Sequence, residues 1–152
     1  MSNCESDRLT VRADTANLSR IAEFVRCATA AWCRDEQESY DIQMAVDEAC
    51  ANIIAYAYAG VEDGMIDLEI SCAPEACTIT IRDRGVPFDP ASVPPPDVEA
   101  PLEDRAIGGL GLYLMRRLMD KVEFEFSAEH GNTLRMVKRR LQSAGDATGA
   151  AP

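Results

Sequence analysis

Glu48 and Asn52 stand four residues apart among the small residues Ala45, Ala49, Cys50 and Ala51, in a stretch whose apolar positions recur every three or four residues. On a helix this spacing puts a carboxylate and an amide on one face, about 40° apart at ~100° per residue. Such a pair can hold a hard cation through oxygen, and the carboxylate can also take a proton from water or a hydroxyl. Taken alone, Glu-x-x-x-Asn is common on solvated helix faces. Asp83-Arg84-Gly85 closes the apolar run of residues 79–81. An Asp there can accept a hydrogen bond from an exocyclic amine, while the glycine lets a flat ring lie against backbone, although strand-end turns share this composition. Gly108-Gly109-Leu110-Gly111 directly precedes an apolar helical stripe, Leu112, Leu114, Met115, Leu118 and Met119. Glycines at a helix start free backbone N–H groups to face an anion; a plain glycine hinge is the competing interpretation.

Other chemistries are excluded. No GxxxxGK[ST] is present, and the glycines do not form a dinucleotide fingerprint. Six cysteines without a CxxC pair, and His130 as the only histidine, do not suit zinc. Asp and Glu total 26 against 15 Lys and Arg, a formal charge of −11, and the basic residues are scattered, which argues against a nucleic-acid binder. The first ten residues are polar, unlike a signal peptide, and no apolar run reaches the ~18–20 residues of a membrane span. These features predict a cytoplasmic protein with reduced thiols used mostly as small buried hydrophobes.

Periodicity indicates the elements that must position these groups. Alternation at Leu9 and Val11 predicts a strand, and Asp14 or Thr15 can cap the helical segment after it. Helices are predicted over residues 18–32 and 40–58, separated by a polar break at 34–39. Runs at 65–72 and 77–82 read as a hairpin, 112–119 as a third helix, and 122–127 and 133–137 as two final strands. Residues 86–107 hold six of the eight prolines with several acids, and form neither helix nor sheet, so a long mobile loop is expected there. The expected organisation is one domain over residues 1–142 with a flexible tail at 143–152, and an α+β fold with helices on one face of a mixed sheet.

In sequence order, Glu48-x-x-x-Asn52, Asp83-x-Gly85, Gly108-Gly109-x-Gly111 and Gly131-x-Thr133 resemble the four boxes of the histidine-kinase-like (GHKL) ATPase domain. The stretches around Glu48 and Gly111 are similar to those of the anti-sigma factor serine/threonine kinases of bacterial partner-switching systems. The resemblance covers about residues 7 to 141 and implies a two-layer α/β sandwich binding ATP and Mg²⁺. It implies that Asn52 ligates Mg²⁺, Asp83 accepts from the adenine amino group and Gly85 makes room for the ring. Thr133 supports the adenine through its hydroxyl, Gly108, Gly109 and Gly111 line the phosphates, and Arg105 meets them from the loop. Glu48 is then the general base toward a serine or threonine hydroxyl. The implied partner is a STAS-domain anti-sigma factor antagonist, with a sigma factor as a second partner and a homodimer as the assembly. A non-catalytic, nucleotide-gated regulator is the alternative. Tyr56 departs from the family, which often has His there.

Overall fold

Strand β1, Ser6–Arg12, carries the alternation read at Leu9 and Val11. The computed structural model describes residues 6–90 and 109–140. Asp14 caps a short 3₁₀ turn, Thr15–Asn17, by accepting from the Ala16 amide. Helix α1, Leu18–Thr29, comes next and buries Ile21, Val25 and Thr29 along one stripe. The buried Thr29 hydroxyl donates to the Val25 carbonyl at 2.7 Å, so it carries no unpaired polar group into the core.

Helix α2, Glu36–Asn52, starts four residues earlier than its apolar period predicts. The polar residues expected to break the chain are instead its first turn. The Asp35 carboxylate accepts from the Glu38 amide at 2.9 Å, and the Glu38 carboxylate accepts from the Arg34 amide at 2.7 Å. This reciprocal arrangement satisfies two amides at the helix start. Asp35→Ala should therefore lower stability by about 1 kcal/mol, read as a smaller urea midpoint at unchanged slope.

Beyond Asn52 the chain makes one wide π turn, Ile53–Ala57. It then enters β2, Met65–Ala73, and β3, Ala76–Asp83, helix α3, Gly109–Leu118, and strands β4, Lys121–Ser127, and β5, Gly131–Arg139. The strands lie in the order β1-β2-β3-β5-β4, and all four pairings are antiparallel. The α+β sandwich is as expected, but the sheet is not mixed. Two helices between β1 and β2 bring the chain back to the end it left, so β2 must run antiparallel to β1. One helix between β3 and β4 makes those strands run the same way, but β5 inserts between them and keeps them from pairing. One sheet face, with Ile66, Leu68, Ile70, Ile79, Ile81, Leu134 and Met136, is buried against Ile21, Val25, Ile42, Val46 and Met115 of the helices. The opposite face presents exposed polar side chains such as Asp67, Arg82 and Arg135 to water, the one-sided pattern of an antiparallel sheet.

One ion pair joins both layers. The Lys138 ammonium of β5 donates to Asp41 Oδ2 of α2 at 3.1 Å and to the Leu118 carbonyl, the last residue of α3, at 2.6 Å. Both charged side chains are largely buried, so the pair sits where two helices meet the sheet. Among the described residues no helix is long and apolar enough to cross a membrane. The expected loop is described only as far as residue 90, and the expected tail lies outside the described residues.

Candidate functional site

The C-terminal half of α2 carries Ala45, Val46, Ala49 and Cys50 into the core, which leaves Glu48 and Asn52 half-buried on an adjoining face. Gly111, in the first turn of α3, is packed onto that face. A Cβ at Gly111 would lie 2.7 Å from Asn52 Nδ2 and 3.2 Å from Glu48 Oε2, so only a bare Cα leaves room between the helices. The glycines at 109 and 111 are therefore part of α3 itself, not a loop before it. Burial pushes the Glu48 carboxyl above the ordinary carboxylate range, and the neighbouring Asp47 charge adds to this. Cys50, also on this helix, is pushed up to about 12 by burial, which makes it an inert thiol packed in the core.

The second corner forms where β3, β5 and the π turn meet. Asp83, 8% exposed, accepts at Oδ1 from the Gly85 amide at 2.8 Å and from the Asn132 amide group at 2.7 Å. Both bonds end on the same oxygen, and Asp83 lines the cavity. Asn132 Nδ2 also reaches the Gly85 carbonyl at 3.0 Å, which ties the strand end to the segment after it. The π turn brings the Ala57 carbonyl onto that segment, where it accepts from the Val86 amide at 2.8 Å. A Cβ on Gly85 would fall 2.4 Å from the Ala57 oxygen. Gly85→Ala should thus push the segment off the π turn, with a loss of roughly 1–3 kcal/mol in chemical denaturation.

Register decides which β5 residue serves this corner. Asn132 is opposite Asp83, whereas Thr133 is opposite Arg82, which points to the solvated sheet face. Thr133 borders the cavity, but the hydrogen bond that holds Asp83 comes from Asn132. Asn132 thus joins Thr133 at the cavity as a residue that the sequence reading did not name.

A cavity of about 140 Å³ links the two corners, running from Asp83 and Asn132 to Asn52. Ala49, Ile53, Val86, Met115, Phe124 and Leu134 give it apolar walls. Phe88 packs against Phe124 with ring centroids 5.1 Å apart and planes tilted by 55°, and both line the cavity. A much larger trough, about 1030 Å³, lies along the solvated sheet face by Arg82, Phe126 and His130; it includes neither Glu48 nor Asn52 and is open to water. The smaller cavity, which borders Asn52 and Asp83, is the candidate site. Arg105 and Gly108 lie outside the described residues; six of the positions singled out in the sequence converge here: Glu48, Asn52, Asp83, Gly85, Gly111 and Thr133.

Residues 11–138 match the histidine kinase-like ATPase domain. The chain belongs to that family. Its similarity extends to the protein named serine-protein kinase RsbW from Halalkalibacterium halodurans, 38% identical over 102 residues, or 64% of this chain and 60% of the relative. The protein of the same name from Bacillus pumilus is 36% identical over 108 residues, 67% of this chain and 65% of the relative. The chain thus spans somewhat under two thirds of these relatives' length. The solved RsbU and RsbW domains of Rv1364c from Mycobacterium tuberculosis superpose with a TM-score of 0.64 at 19% identity, covering 89% of this chain and 32% of that one. The catalytic domain of histidine kinase ThkA superposes at 0.50 with 15% identity, covering 89% of this chain and 95% of that one. At such identities the superpositions establish the fold alone. Membership of an ATPase-domain family implies that the chain binds a nucleotide.

Proposed function

We propose that this chain is an ATP-dependent serine/threonine kinase of a partner-switching system that phosphorylates a small STAS-domain antagonist and, in its nucleotide-bound form, holds a sigma factor. The observation that carries this reading is the packing of Gly111 against both Glu48 and Asn52 at the end of the cavity away from Asp83. Asp83 Oδ2 accepts from the adenine amino group, the apolar walls hold the ring, and Gly85 keeps the backbone close to it. Asn132 fixes the Asp83 carboxylate in the required orientation. Glu48 takes the proton of the attacking hydroxyl, and its raised basicity suits that transfer. The amides at the start of α3, Gly109 and Gly111 among them, together with Gly108 and Arg105, meet the phosphates.

The donors present also suit Mg²⁺. The Asn52 side chain and the Glu48 carboxylate, both against Gly111, are donors of the oxygen type that suits an ion that arrives with phosphates and keeps several waters. When bound, Mg²⁺ spreads the charge that develops on the transferred phosphoryl group. The protein would act in the cytoplasm as a homodimer.

The test is phosphate transfer from labelled ATP to STAS domains encoded beside this gene. With a chain carrying −11, ATP affinity should fall by about tenfold or more when Mg²⁺ is removed, measured by calorimetry. Transfer to serine or threonine of one antagonist supports the kinase. Tight ATP binding with no transfer to any antagonist would instead identify a nucleotide-gated binding protein, and equal binding with and without Mg²⁺ would overturn the site as drawn.

A further inference from the structure

At the end of the sheet far from the cavity, Cys72 of β2 and Cys77 of β3 are directly opposite one another, and their sulfurs are 2.9 Å apart. They flank a two-residue turn, Pro74-Glu75, with Ala73 opposite Ala76. The pair next to such a turn is the hydrogen-bonded one, so Cys72 and Cys77 occupy the next, non-hydrogen-bonded position. There Cα atoms come closest, about 4.5 Å, within the span a disulfide bridges. We propose that Cys72 and Cys77 are a reversible disulfide site, oxidised by a hydroperoxide and restored by a dithiol reductant. This goes beyond the kinase reading and does not depend on it.

The two thiols have different surroundings. Cys77 is fully buried, whereas Cys72 is half-buried next to Ala73, whose carbonyl accepts from the Trp32 indole N–H at 2.8 Å. The hydrogen bond between the sulfurs holds the Cys72 thiol below its ordinary range and raises that of Cys77, and Arg140 also favours the Cys72 thiolate. The more accessible and more acidic sulfur is thus the attacking one. In the first step the Cys72 thiolate attacks the peroxide, the O–O bond breaks, and Cys72 becomes a sulfenic acid while the leaving oxygen takes a proton as water or an alcohol. In the second, the Cys77 sulfur gives up its proton and attacks Cys72, forming the S–S bond and releasing water. The two thiols lose two electrons and two protons, and the peroxide accepts them.

The test uses the full chain: hydrogen peroxide, quenching, alkylation of remaining thiols in denaturant, and digestion after glutamate. Cleavage after Glu75 separates the cysteines, so a linked pair of peptides, 70–75 joined to 76 onward, reports the bond and vanishes with dithiothreitol. The expected result is loss of two of the six thiols to this link, with exposed Cys27 still alkylated, a shift in the emission of the single tryptophan, and unchanged ATP affinity. Cys77→Ser should abolish the link and leave Cys72 as a sulfenic acid that dimedone traps. Alkylation of both cysteines after peroxide, a Cys33–Cys72 link, or oxidation of Cys72 to sulfinic acid with Cys77 still a thiol would each overturn the proposal.

Discussion

Glu48→Gln should lower phosphate transfer by about 10²–10⁴-fold while ATP affinity stays the same, because Gln keeps the shape but cannot take a proton. Stability is expected to move the other way. Burial raises the Glu48 pKa in the folded chain, so between the unfolded value and the raised folded value the native state binds more protons than the unfolded one. Stability then falls as pH rises through that window, and above it the charged carboxylate is a standing cost of folding. Gln removes this cost. The variant's melting temperature should exceed that of the wild type at pH 7, and the difference should shrink toward pH 4. The wild-type transfer rate should rise with pH through an inflection above the ordinary carboxylate range. A variant that loses activity and melting temperature together would indicate a structural role for Glu48, not a base.

Asp83→Asn is expected to change which purine is bound. The Gly85 amide and the Asn132 amide both donate to Oδ1, so an asparagine must place its carbonyl oxygen there and its NH₂ where Oδ2 was. The fold keeps both bonds, but the group facing the base becomes a donor. ATP affinity should fall by roughly 10–100-fold, the worth of a hydrogen bond to a charged acceptor. ITP, with a carbonyl in place of the amino group, should lose little or gain. Calorimetry with ATP and ITP on both proteins decides it, and an equal loss for the two nucleotides would remove Asp83 from base recognition.

Local spacing carries much of this site. Glu48 and Asn52 share a helix face whatever the rest of the fold does, and Asp83-x-Gly85 ends a strand by composition alone. The features that local spacing misses depend on distant partners or on a boundary. The acids at 35–38 read as a polar break, although Asp35 and Glu38 are spaced as a reciprocal cap that outweighs the missing apolar period. The antiparallel sheet depends on β5 entering between β3 and β4, a pairing that no local pattern encodes. Asn132 as the partner of Asp83 depends on register, because β5 starts at Gly131, earlier than its apolar alternation suggests, and sets Asn132 opposite Asp83. The signal is present in Asn132 itself, whose side chain can donate twice.

The Lys138 contact makes α3 a lever with one fixed end. Its last carbonyl is held to Asp41 through a buried ammonium, while its first turn meets Glu48 and Asn52 of α2 through the bare Cα of Gly111. Ten residues at 1.5 Å each give an arm of about 14 Å, so a tilt of about 10° about Leu118 carries Gly109 roughly 2–3 Å across Glu48 and Asn52. A tilt of this kind would need no change in backbone conformation within the helix.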